Sequence, residues 1–140
     1  MTTPSALGRP LPVPLGRRSS ARLAVVLAKL IAKLPPRRIK ALLRVLRRGA
    51  RPASYEQAKS ARDAVLAVSL TCRGPQGCLP RSLAAAVLCR FGGTWPTWCA
   101  GVRMKPPFGA HAWIEAEDRL VDEGAPSGYF GRLLAVGPPE

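Results

Sequence analysis

The chain has one histidine, His111, in 140 residues. Its four cysteines, Cys72, Cys78, Cys89 and Cys99, contain no C-x2-C pair. Structural zinc, which gathers four such ligands at close spacing, is therefore not expected, and no residue pattern calls for a cofactor. Long apolar runs are also absent. The best window, Ala21 to Leu34, is broken by Lys29 and Lys33, whereas a spanning helix needs about 20 mostly apolar residues. Leu34-Pro35-Pro36 is not a small-residue cleavage site, so no secretory signal is expected. The chain reads as cytoplasmic, with free thiols as the default.

Acid is scarce and comes late. The 8 acidic residues begin at Glu56, while 13 of the 22 lysines and arginines lie in residues 1–51. A near-neutral domain thus follows a cationic lead segment, the part suited to an acidic partner. That segment also lacks aromatics. Bases would find nothing to stack on and its arginines alternate with core-type residues, so nucleic acid is a poor fit. No internal repeat is evident.

What remains is one domain's worth of patterned chain. Residues 1–16 are rich in proline and glycine and are expected to be disordered. Residues 17–50 read as a basic amphipathic helical segment. Leu23, Val26, Leu27, Leu30, Ile31 and Leu34 share one helix face, Pro35-Pro36 stops that helix, and Ile39, Leu42, Leu43 and Leu46 form a second stripe ending near Gly49. Residues 51–140 read as the catalytic domain. Ser54-x-x-Gln57 is a capping box for a third helix through about Leu70, with Ala58, Ala61, Val65 and Val68 buried. A loop over 73–77 leads to a helix opened by Cys78 and closed by Gly92-Gly93. Strands follow at Thr97–Arg103 and His111–Glu117, with a short return at Arg119–Glu123. Helices first and then a small antiparallel sheet make an α+β fold.

Cys78 follows a glycine at a helix start, where Pro80 fits the first turn. A thiol there meets unpaired backbone N–H groups and the positive end of the helix dipole, and both favour thiolate, the nucleophilic form. Cysteine acyl chemistry also needs a base and a group that orients it. His111 is the base available, and Asp122 and Glu123 follow it on the return strand. A two-residue turn at Glu117-Asp118 would pair Trp113 with Asp122 and put Asp122 on the His111 face; one more turn residue would present Glu123 instead. An oxyanion hole would use the Cys78 N–H and one further donor, and Gln76 reads as an ordinary loop residue. Trp113 and Phe108 flank His111 and either wall the substrate cleft or pack in the core. Cys72, Cys89 and Cys99 read as small buried hydrophobes.

The runs Cys78-Leu-Pro-Arg-Ser-Leu, Trp98-Cys-Ala-Gly-Val-Arg and Pro107-Phe-Gly-Ala-His111-Ala-Trp-Ile-Glu115 resemble the leader peptidase of lasso-peptide biosynthesis, a transglutaminase-like, papain-related enzyme. The resemblance covers about Ser54 to Val136, and the arginine-rich helices before it resemble the lead segment of short members. It implies Cys78 as nucleophile, His111 as base and acid, and a third carboxylate that Glu123 matches by spacing and Asp122 by identity. It further implies a precursor peptide as substrate, a separate leader-recognition protein, and a partner ATP-dependent macrolactam cyclase, this chain being the split form without the recognition domain. Two rival readings stand beside it: acyl transfer by the same residues, with an amine resolving the thioester, or a non-catalytic binding module in which Cys78 is structural and the basic helices do the work.

Overall fold

The computed structural model describes residues 15–74, 77–106, 108–121 and 130–139. Two helices, α1 (Leu15–Ile31) and α2 (Pro36–Leu46), precede a two-residue strand β1 (Arg51–Pro52). Then come α3 (Tyr55–Val68), the single turn α4 (Leu70–Arg73) and α5 (Cys78–Phe91). The rest is sheet: β2 (Thr94–Trp95), β3 (Thr97–Arg103), β4 (Ala110–Ala116), β5 (Arg119–Leu120) and β6 (Phe130–Val136). The fold is α+β, as the order of patterns in the sequence requires. β1 pairs with β2 in parallel, and the main sheet runs β5-β4-β3-β6, antiparallel throughout.

Local signals set the helix boundaries. Pro36 opens α2 at its first turn, where a missing N–H costs nothing. The expected capping box opens α3: Ser54 Oγ accepts from the Gln57 amide at 3.1 Å, and the Gln57 side chain accepts from the Ser54 amide at 2.9 Å. Ser69 ends α3 and caps α4 through the Cys72 amide, so the third helix stops two residues before the expected Leu70. α1 begins at Leu15, inside the stretch expected to be disordered; residues 1–14 lie outside the described residues.

One stripe of α1 packs into the core and the other does not. The face of α1 that is buried holds Ala21, Ala24, Val25, Ala28 and Ile31, while Leu23, Val26 and Leu30 are each more than half exposed. α1 packs on α5 and α3, which present their own alanines, Ala84 to Ala86 and Ala58, Ala61 and Ala64. Small side chains on both partners allow helices to approach closely, and a leucine ridge would hold them apart. α2 follows the sequence pattern, with Ile39 and Leu43 buried. α1, α2, α3, α5 and one sheet face share a single core. Several arginines are structural: Arg90 donates to the Leu46 and Arg48 carbonyls at the end of α2, and Arg47 donates to the Gly137 carbonyl after β6.

Side chains alternate across β3 and β4. Trp98, Ala112, Ile114 and Ala116 face the helices and the core, and the Trp98 indole donates to Ser82 Oγ of α5 at 3.0 Å. The opposite face carries His111, Trp113 and Glu115, as expected from the alternation. Glu117 lies in the turn, so the strand starts and ends one residue earlier than expected. Four elements had no sequence signal strong enough to identify them: the single turn α4, the paired strands β1 and β2, and the edge strand β6.

Candidate active site

Cys78 is the first residue of α5, after Gly77 as N-cap. Gly77 is there for space: a Cβ would overlap the Thr71 carbonyl oxygen and press on the Cys72 backbone. The turn of α4 therefore lies directly against the residue before Cys78. Arg81, one helical turn beyond Cys78, is buried and donates to the Cys72 carbonyl at 2.9 Å. The same side chain thus ties α4 to α5 and brings a positive charge near the thiol.

β4 completes the pair. In an antiparallel strand alternate residues point both backbone groups to the same neighbour. The Ile114 carbonyl accepts from Val121, on the β5 side, so the Ala112 amide points to that side as well. It meets the Cys78 thiol there, and the His111 imidazole hydrogen-bonds to the same sulfur. Burial alone would push the Cys78 thiol up. The His111 hydrogen bond, the Ala112 N–H and the positive charges of His111 and Arg81 outweigh that, and the thiol is held below its ordinary value.

The other thiols behave oppositely. Burial pushes Cys89 up to about 11. Burial, with Glu115 nearby, pushes Cys99 up to about 12. Cys72 is also raised, by burial against the opposing effects of Ser69, Lys29 and Arg81. As pH falls below the ordinary thiol range, Cys78 remains thiolate until its own lowered value is crossed, whereas the other three are thiols throughout. Iodoacetamide at pH 7 is therefore expected to label Cys78 at least about 10²-fold faster than Cys72, Cys89 or Cys99. Peptide mapping by mass checks this; equal labelling would remove the activated thiol.

Of the other candidates, Trp113 is 2 % exposed. Its indole stacks at 5.8 Å from the His111 ring and donates to Glu115 Oε2 at 2.8 Å. It is a buried ring packed beside His111. Phe108, 71 % exposed, stands in the loop before β4 and is the one of the two with surface to offer. Asp122, Glu123 and Gln76 lie outside the described residues. Among the described residues no three His, Cys, Asp or Glu side chains are grouped to hold a metal ion. Nor is any helix there long and apolar enough to cross a membrane. Sequence reasoning missed three contributors: the Ala112 amide, Arg81 and Phe130, whose ring stacks on His111 at 4.5 Å. Arg81 was visible as a basic residue one turn from Cys78; the other two depend on tertiary contact.

A cysteine at a helix start hydrogen-bonded to a strand histidine is thiol acyl-transfer geometry. The sequence agrees with it at the family level: the model of the transglutaminase-like superfamily matches residues 21–135, from early α1 to the end of β6. Searches of curated proteins and of solved structures find no significant match. With its thiol, its histidine and nearly all of its helices and strands inside the matched region, the chain belongs to the transglutaminase-like superfamily.

Proposed function

We propose that this protein is a cysteine endopeptidase that removes the leader from a ribosomally made lasso-peptide precursor. The observation that carries the reading is the Cys78–His111 hydrogen bond at the start of α5, with the thiol held low. The family match supports cysteine-peptidase or acyl-transfer chemistry in general. The finer assignment rests on the Cys78, Trp98 and His111 motif runs described above.

The thiolate of Cys78 attacks the scissile carbonyl carbon, and the carbonyl oxygen becomes an oxyanion facing the α5 N-terminus, with the Cys78 N–H as one donor. The tetrahedral centre collapses, the C–N bond breaks, and the His111 imidazolium gives its proton to the departing amine. Water then adds to the thioester while His111 takes its proton. The C–S bond breaks, the acid product leaves, and the thiolate–imidazolium pair is restored. An amine in place of that water would make the same site a transferase.

We assign the third role to Asp122. Glu117 and Asp118 form a two-residue turn with φ of 54° and 60°, and Glu115 pairs with Leu120. A two-residue turn is the length for which the sequence pattern favours Asp122 over Glu123; both carboxylates lie outside the described residues. The partner reading, a leader-recognition protein and an ATP-dependent cyclase, finds support in α1: its exposed Leu23, Val26 and Leu30 are flanked by exposed Arg22, Lys29 and Lys33.

The test is cleavage of the precursor in the presence of the recognition protein, read by mass. A single cut is expected, lost in Cys78→Ala, reduced about 10²-fold or more in Asp122→Ala and little changed in Glu123→Ala. Leu23→Ser with Leu30→Ser is expected to lose the rate gain from the recognition protein. An uncut precursor with a folded wild-type chain would reject the peptidase, and a ligated product would make it a transferase.

A further inference from the structure

His111 lies in a stack of three rings, two of them outside the reacting pair. Phe130 of β6 is 4.5 Å from the imidazole, centroid to centroid, at 18° between planes. Trp113 is 5.0 Å from Phe130 and 5.8 Å from His111. The far end of the stack is pinned: Glu115 accepts from the Trp113 indole at 2.8 Å and from Arg132 at 3.0 Å. β6 therefore supplies both Phe130 and the arginine that holds the glutamate.

The backbone is shaped to bring β6 to this place. Gly101 of β3 pairs with His111 on one side and Arg132 on the other, next to an irregularity in the β3–β6 register. A Cβ on Gly101 would overlap the Gly131 carbonyl oxygen. The β6 backbone passes where a side chain would stand, and the residue before Gly131 is Phe130.

We propose that Phe130 is a positioning residue for His111: its ring holds the imidazole facing Cys78 and stabilises the imidazolium over its π face. The proposal rests on Cys78 and His111 being the reacting pair. A nearly parallel aromatic face at this distance attracts a cation and restricts rotation of the ring stacked on it. Loss of the ring then acts on both sides of the ion pair. The imidazolium gives up its proton at lower pH, because its cation–π partner is gone. The thiolate forms at higher pH, because a looser imidazole bonds it less well. Among the described residues, the other charged or titratable groups on this side are Cys78 and Arg81 of α5, Cys99 and Arg103 of β3, Glu115 of β4 and Arg132 of β6; α3, packed on β4, carries the buried Arg62. All are unchanged in a Phe130 variant.

The single histidine makes the test direct. In the full chain, the His111 ring C–H proton resonances are followed by NMR against pH, in wild type, Phe130→Leu, Phe130→Tyr and Cys78→Ala. In Phe130→Leu the midpoint for loss of the imidazolium is expected to fall by about half a unit to one unit, while Phe130→Tyr stays at the wild-type value. In the wild type the same resonances are expected upfield of those of an unstructured histidine peptide, from the currents of the stacked rings. An unmoved midpoint in folded Phe130→Leu overturns the proposal. So does the absence of the upfield shift in wild type, a measurement that needs no variant to fold. If the wild-type midpoint is the same as in Cys78→Ala, the thiol and imidazole are not coupled, and the catalytic pair itself fails.

Discussion

His111→Ala is expected to lower kcat/KM for peptide cleavage by about 10³-fold or more. Two losses combine. The leaving amine no longer receives a proton from a placed acid, an effect of about 10²–10⁴ on its own. The Cys78 thiol also loses the largest of the influences that hold it down, while the burial that raises it remains. Even an ordinary thiol is only a few per cent thiolate at pH 7, and a buried one with weaker support is less so. The two losses are separable. Iodoacetamide labelling of Cys78 reads the thiolate alone, and its pH midpoint is expected to rise in the variant. Cleavage by mass reads both. Raising the pH should therefore recover labelling but not cleavage. If His111→Ala cleaves within tenfold of wild type, the imidazole is not the acid and base.

Gly77→Ala should be the most damaging small change near the site. The φ and ψ of Gly77 are −92° and 5°, open to any residue, so the cost is not conformational. It is contact: the new methyl would occupy the space of the Thr71 carbonyl oxygen and the Cys72 backbone. Backbone atoms cannot rotate away as a side-chain tip can, so either α4 moves or the start of α5 does. Moving α4 breaks the Arg81 bond to the Cys72 carbonyl; moving α5 displaces Cys78 from His111 and the Ala112 amide. Overpacking of this kind costs about 1–3 kcal/mol or more, which for a chain of this size is a drop of about 5–10 °C in Tm. Thermal unfolding measures the first effect. The labelling rate of Cys78, measured well below the new Tm, measures the second and is expected to fall about tenfold or more. An unchanged Tm and an unchanged labelling rate would mean that the α4–α5 contact is not tight.

Residue types and spacing were enough for much of the site. Cys78 at a helix start, the only histidine on a strand and the alternation that groups His111, Trp113 and Glu115 are all local properties, and the geometry repeats them. The capping box at Ser54 and the strand at Thr97–Arg103 are legible for the same reason: each is decided by residues within a few positions of one another. Glu117-Asp118 was one of two turn lengths open to the sequence, because register depends on a single residue of loop. The positive φ angles at both turn positions and the Glu115–Leu120 pairing settle it as two residues.

Other features needed the folded chain. α1 carries an aliphatic stripe and an alanine stripe, and hydropathy favours the aliphatic one because leucine and valine outweigh alanine. Which stripe is buried depends on the partner helix, and α3 and α5 present alanine. β6 has no strong alternation, and its place beside β3 follows from Gly101 leaving room for the Gly131 carbonyl. Phe130 reaches His111 across nineteen positions of chain by that route alone. The amino-acid sequence by itself thus determined the long helices, the strands β3 and β4, and where the thiol and the imidazole stand on them, since those follow from short-range periodicity and chemistry. The tertiary structure decided which face of α1 is buried, which backbone amide meets the thiol and which ring of β6 stacks on the imidazole, since each is a contact between segments distant in the chain.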